Sequence, residues 1–180
     1  MAYADTRTKN VPFDFYETPK YAVDKLLEVE KFEGTILEPC SGNGAISKVL
    51  EAAGYEVISS DLRQEGIYGN GGMDIFSMEG IQANNLVTNP PYGRKILTFI
   101  KHLLTLTDKK TCLLLRLAFL EAQSRYPFFK EEDTLKNVYV FSKRVIMLKD
   151  GEPMTGSKMS FAWFVWDKEY RGRPSIDWLM

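Results

Sequence analysis

The chain has 180 residues, 44% of them hydrophobic, and a formal net charge of −1, the profile of a globular protein with room for one domain and its core. No apolar run approaches the roughly 20 residues that cross a bilayer, and residues 1–14 lack the apolar stretch of a secretory signal. Two cysteines, Cys40 and Cys112, and one histidine exclude a disulfide scaffold and an unaided structural zinc site, and they fit a reduced cytoplasm.

In chain order, residues 1–14 are polar and irregular and read as a flexible arm, with 15–180 as a single domain. Thr18-Pro19 predicts a helix start, Thr as N-cap and Pro at the first helical position, with apolar spacing running to about Phe32. A short strand at 35–37 meets the turn Glu38-Pro39-Cys40-Ser41-Gly42-Asn43-Gly44. A helix follows from Ala45 to Ala53, and Gly54 ends it. Residues 55–60 read as a second strand, parallel to the first in a βαβ unit. The glycine-rich stretch 62–80 is expected to hold a short strand and a loop. Strands at 85–88 and 111–117 flank a helix at about 93–106. A helical or irregular segment covers 118–130. Strands at 138–148 and 159–166 come last and are expected to form an antiparallel hairpin at one edge. The whole reads as a Rossmann-like, doubly wound, mostly parallel seven-stranded sheet.

Two strand ends carry chemistry. At the first, Gly42 and Gly44 let the backbone turn sharply and approach a ligand. Asp61 ends the next strand, 19 positions after Gly42, where such folds set an acid against ribose hydroxyls. Ser47 breaks the dinucleotide fingerprint, and the Glu38 carboxylate would repel a pyrophosphate but attract a cation. These residues point to a cationic nucleoside ligand. Asp74, after a second glycine cluster, is positioned to accept from an adenine amino group.

At the second strand end stands Asn89-Pro90-Pro91-Tyr92. Two prolines stiffen the turn and remove two backbone donors. The side-chain carbonyl of Asn89 and the main-chain carbonyl of Pro90 are suited to hold the two hydrogens of one NH₂ group. Tyr92 is expected to stack on the planar substrate.

Together, Glu38-Pro39-x-x-Gly42-x-Gly44 and Asn89-Pro90-Pro91-Tyr92 resemble the class I amino-methyltransferases. With Phe15-Tyr16-Glu17-Thr18-Pro19 ahead of them, the order resembles that of adenine-N6 DNA methyltransferases, the small phage-encoded ones most closely. The resemblance implies S-adenosylmethionine as cofactor. It implies Tyr16 and Thr18 at the methionine end, and Glu38, Pro39, Cys40, Gly42, Gly44 and Asn89 along the cofactor bed. Asp61 would lie at the ribose and Asp74 at the adenine, with Leu62 also among the cofactor-binding residues. It implies nucleic acid, DNA ahead of RNA, as partner, in a bacterial or phage-infected cell. Sequence-specific members carry a separate target-recognition domain. None is expected here, which leaves a poorly selective enzyme or one that relies on a partner subunit. RNA adenine, a protein glutamine amide, or a non-catalytic binding subunit remain open.

Residues 1–90 carry 7 Lys+Arg against 14 Asp+Glu, and residues 91–180 carry 16 against 10. The halves either interleave in space or leave one face to meet an anion. Arg94, Lys95, Lys101, Arg125, Lys130, Lys143 and Arg144 are the cations suited to phosphates, and 123–133 and 149–158 are the segments expected to touch substrate. Phe161, Trp163 and Trp166 lie in a strand apolar on both faces and read as core.

Overall fold

The computed structural model describes residues 16–154 and 159–180. The expected arm at 1–14, Phe15 and residues 155–158 of the expected contact loop lie outside them.

Helix α1 (Lys20–Val29) buries Ala22, Val23 and Leu26. Its N-cap is Pro19 rather than Thr18, and no side chain caps it. Thr18 is occupied elsewhere, as shown below. Strand β1 (Ile36–Glu38) is buried throughout, and α2 (Ser47–Ala52) and β2 (Val57–Ser59) complete the βαβ unit, with β1 and β2 parallel. Gly54 takes φ +92° where α2 ends, a left-handed conformation that suits glycine.

The short strand expected within 62–80 does not form. Asn70 alone bridges Ser60 in parallel, and a single 3₁₀ turn spans Ile75–Ser77. Five glycines across 62–80 favour turns over a strand. Next come β3 (Asn85–Thr88), α3 (Ile96–Leu103), β4 (Lys110–Arg116) and the short α4 (Tyr126–Glu131), then β5 (Leu135–Phe141). The chain finishes with the two-residue strands β6 (Leu148–Lys149) and β7 (Glu152–Pro153), then β8 (Phe161–Asp167) and β9 (Ser175–Leu179).

Seven strands form one sheet in the order β2-β1-β3-β4-β8-β5-β9. Only β8 runs against its neighbours; the pairs β1–β2, β1–β3, β3–β4 and β5–β9 are parallel. The fold is therefore the expected Rossmann-like one, but its carboxyl-terminal third is arranged differently. β5 and β8 do pair antiparallel, yet β8 sits inside the sheet between β4 and β5. Its run Phe161-Ala162-Trp163-Phe164-Val165-Trp166 is buried on both faces, which only an interior strand satisfies. The edge falls to β9, and the small antiparallel hairpin is β6–β7, outside the main sheet.

Two apolar layers cover the sheet. One joins Ala22, Val23 and Leu26 of α1 and Leu50 of α2 to Val87, Leu114 and Trp163. The other joins Ile100 and Leu103 of α3 and Phe128 of α4 to Leu86, Phe164 and Trp166. Trp163 donates its indole N–H to the Ala22 carbonyl at 2.8 Å, so its one polar atom is satisfied inside the core. Among the described residues no helix is long and apolar enough to cross a membrane.

From β1 the chain goes outward to β2, and from β3 it goes the other way to β4. The strand order thus reverses between β1 and β3. The crevice beyond the carboxyl ends at such a reversal is where open α/β sheets bind ligands. Glu38 and Asn89 stand there.

Candidate active site

The glycine turn is held by the strand beside it. Ser41 N–H donates to the Ser60 carbonyl at 2.9 Å, and Gly42 N–H donates to Asp61 Oδ2 at 2.8 Å. Gly42 and Gly44 have φ of +55° and +82°, where a side chain is strained. A Cβ on Gly44 would also lie 2.6 Å from the Tyr68 ring. Tyr68 reaches over from the loop after β2: its N–H donates to Gly42 O at 2.8 Å and its hydroxyl to Glu51 Oε2 at 2.6 Å. That loop therefore clasps the turn.

Glu38 does not face a ligand as expected. It is 1% exposed and accepts from Ser47 N–H at 2.8 Å and from the Ser47 hydroxyl. Ser47 opens α2, so the carboxyl anchors that helix to β1. Burial pushes the Glu38 pKa up to about 8; the Ser47 bonds oppose this, and the nearby Asp61 and Glu51 charges add to it. At neutral pH the group is mostly protonated, which answers the expectation of a negative charge pointed at a cation.

Asp61 accepts three protein donors: Gly42 N–H on one oxygen, Arg63 N–H at 2.9 Å and Arg63 Nε at 3.2 Å on the other. Pro39 is buried and Leu62 exposed. Burial, with Asp61 and Glu38 close by, pushes the half-buried Cys40 thiol far above its ordinary range and keeps it unreactive. Met73 N–H donates to the Asp61 carbonyl at 3.0 Å, which brings Asp74 next to the β2 end. The Asp74 carboxylate accepts from Phe76 N–H at 3.0 Å and caps the 3₁₀ turn.

Asn89 directly follows β3. Its Nδ2 donates to Thr18 Oγ1 at 3.1 Å, with Met147 Sδ at 3.9 Å. These acceptors orient the amide, so Oδ1 faces the other way, where it accepts from the Tyr92 hydroxyl. The same hydroxyl lies 2.8 Å from the Leu114 carbonyl of β4; with one proton it serves one acceptor at a time. Tyr92 is thus turned inward rather than standing open for stacking. The Arg116 guanidinium lies 5.0 Å from its ring centre and Phe161 5.9 Å away, and burial raises the phenol pKa. Pro90 is buried and Pro91 exposed.

The segment before α1 closes the site. Glu17 and Leu148 exchange backbone hydrogen bonds at 2.8 and 3.0 Å, and Tyr21 OH accepts from Ile146 N–H at 3.2 Å. This contact splits the strand expected at 138–148: β5 ends at Phe141, and residues 142–147 bend toward α1 and deliver Met147 to Asn89. Tyr16 packs against the same layer as Met147. Met147, Tyr68 and Arg116 carry no functional sign in the sequence, and Ser47 shows there only as the break in a glycine fingerprint. The one pattern around Met147 is its alternation with Val145, both buried.

Of the expected phosphate contacts, Arg94 and Lys95 line a hollow of about 680 Å³ with Pro91, Tyr92, Ile96 and Phe99. Lys101, Arg125 and Lys130 instead lie over the rings of Phe128, Phe119 and Tyr126, while Lys143 and Arg144 are exposed on 142–147.

No protein-family model matches the chain, and no curated protein matches it in sequence. Among solved structures it is similar to a candidate RNA methyltransferase from Pyrococcus horikoshii, with TM-score 0.65, 13% identity, and coverage of 86% of this chain and 87% of that one. It is similar to a dimethyladenosine transferase from Plasmodium falciparum, with TM-score 0.57, 18% identity and coverage of 86% and 63%. It is also similar to the modification subunit of a candidate type I restriction enzyme from Vibrio vulnificus, with TM-score 0.58 and 12% identity. There 89% of this chain spans 45% of the subunit, less than half its length. The chain has the fold of these methyltransferases.

Proposed function

We propose that the chain is an S-adenosylmethionine-dependent N-methyltransferase of the small phage type, acting on a planar amino group, with adenine N6 of DNA as the acceptor. The Asn89 amide carries this reading: its nitrogen is committed to Thr18 and Met147, so its oxygen is the accepting end of an oriented amide at the strand-order reversal, held there by the Tyr92 hydroxyl. An amino group is the same kind of donor as the Tyr92 hydroxyl and takes its place on Oδ1. The Pro90 carbonyl accepts the second hydrogen, and the two prolines stiffen the turn that presents it. The chain then works by orientation and electrostatics, with no covalent enzyme intermediate. Tyr92, released from Asn89, stacks on the base, a contact worth about 1–3 kcal/mol.

The residues at the glycine turn fit the cofactor. Asn43 Oδ1 and Ser60 Oγ are buried there without a protein partner. The two Asp61 oxygens offer about four lone-pair sites for three protein donors, which leaves room for a ribose hydroxyl. Thr18 accepts from Asn89 and keeps its own proton to donate to the methionine carboxylate. Tyr16, Glu38, Pro39, Cys40, Gly44, Leu62 and Asp74 complete the proposed bed, Glu38 by anchoring α2. When bound, the cofactor supplies an electrophilic methyl group. The Vibrio neighbour is one subunit of a larger enzyme, which supports a partner subunit for target recognition.

The test is transfer of labelled methyl groups to unmethylated DNA, total RNA and a protein extract in parallel, with mass spectrometry of the product. N6-methyladenine in DNA is expected. Label in RNA alone moves the acceptor to RNA, label in protein overturns the nucleic-acid reading, and label nowhere overturns the enzyme.

A further inference from the structure

Some cations of the molecule are matched and others are not. At the amino end of the parallel strands Lys109 pairs with Glu33 at 2.9 Å, Lys110 with Glu30 at 2.6 Å and Lys136 with Asp167 at 2.9 Å, and at the carboxyl end Arg63 pairs with Asp61 at 3.2 Å. At the carboxyl end, Arg94, Lys95 and Arg116 form no ion pair with any described carboxylate. All three are exposed.

Each of the three neighbours Tyr92 or the hollow that Tyr92 lines. Arg94 and Lys95 follow Tyr92 along the wall of the 680 Å³ hollow, and Arg116 stands 5.0 Å from the Tyr92 ring centre at the end of β4. Unmatched like charges close together repel one another, and an anion brought among them removes that cost. Spaced cations beside an aromatic ring are how proteins follow a single nucleic-acid strand, the cations on phosphates and the ring on a base. Pro91, Ile96 and Phe99 give the hollow apolar walls between the charges.

We propose that Arg94, Lys95 and Arg116 form a phosphodiester-binding surface that grips an unpaired strand on either side of the nucleotide whose base enters at Asn89. The surface rests on the methyl-transfer reading of that site and adds to it the form of the substrate. Arg116 has two tasks: it caps one side of the Tyr92 ring and meets a phosphate next to it. An unpaired strand avoids the few kcal/mol that extruding a base from a duplex costs.

The experiment measures fluorescence anisotropy of end-labelled oligonucleotides at salt concentrations from about 50 to 300 mM. The probes are single-stranded DNA, single-stranded RNA of the same sequence, and the DNA duplex. The wild type is compared with the triple variant Arg94→Gln, Lys95→Gln, Arg116→Gln, while the double variant Arg94→Gln, Lys95→Gln, which leaves Arg116 over the Tyr92 ring, is tested for cofactor binding by calorimetry and for methylation of free adenosine. The wild type should bind the single strands more tightly than the duplex. The triple variant should bind them at least 10-fold more weakly at low salt, with a log–log salt slope shallower by about 2, as loss of three single-strand phosphate contacts requires. The two single strands together report whether the backbone alone is read: equal losses support the surface. Unchanged affinity and slope in the triple variant overturn it, as does a wild type that prefers the duplex. Cofactor binding that falls in the double variant also overturns it, because the residues then serve the fold. Adenosine methylation keeps the two failures apart. If the surface is wrong but the site is right, the wild type and the double variant methylate adenosine equally; if the site is wrong, neither does.

Discussion

The two ends of the sheet use the same side chains in opposite ways. At the amino end Glu30 is 4% exposed and accepts from Lys110 at 2.6 Å, Tyr139 OH at 2.9 Å and Asn137 Nδ2 at 3.3 Å. Asn137 Oδ1 accepts in turn from Ser175. Burial and the Glu30 charge raise the Tyr139 phenol. The network is closed, and it staples the end of α1 to β4, β5 and β9. At the carboxyl end an asparagine and a tyrosine also meet, but their bond is one a ligand can replace. Asn43 Oδ1 and Ser60 Oγ lack partners there, and three cations lack acids. A satisfied polar network makes structure, whereas an unfinished one leaves hydrogen-bonding capacity for a substrate.

Substitutions sharpen this contrast. The largest effect on stability is expected at the closed end. Lys110→Met leaves Glu30 buried without its cation and should cost about 3–5 kcal/mol in chemical denaturation, with cofactor affinity unchanged. A smaller effect, on turnover and on cofactor affinity together, is expected from Thr18→Val. It removes the acceptor that orients Asn89 while keeping the shape, and should lower kcat about 5- to 10-fold, one neutral hydrogen bond's worth. Thr18→Ser should restore it. If Thr18→Val instead weakens only cofactor binding, the threonine serves the methionine end alone.

The mildest change at neutral pH is expected from Glu38→Gln, because the carboxyl is already mostly protonated. Its pKa is raised in the fold. The stability it contributes is therefore complete at acid pH and is lost as pH climbs from the ordinary carboxyl range through about 8. Thermal unfolding should show the wild type losing ground to Glu38→Gln as pH rises from about 4.5 to about 8, with the difference level above that. Parallel profiles for the two proteins would mean the carboxyl is not buried as described.

Local patterns made much of the fold legible. The βαβ unit, the buried β3 and the apolar β4 follow from periodicity and from glycines at turns. What stayed hidden depends on distant partners. Adjacency along the chain suggested a hairpin at the edge for β5 and β8, but adjacency does not say which neighbour closes the sheet. The five residues of β9 decide that by pairing with β5. Thr18 reads locally as a helix cap because its actual partner, Asn89, lies 71 positions away. The site residues were legible as strand ends. The direction each side chain takes was not: Glu38 turns to Ser47, and Tyr92 turns to Asn89 and Leu114.

The central claim is that Asn89 Oδ1 is the acceptor that holds the substrate amino group. The direct measurement is single-turnover methyl transfer by Asn89→Ala, with cofactor affinity measured on the same preparation. The account predicts a rate lower by about 10²–10³ or more, with cofactor binding within a few-fold of wild type. An Asn89→Ala protein that transfers methyl groups at the wild-type rate would contradict it.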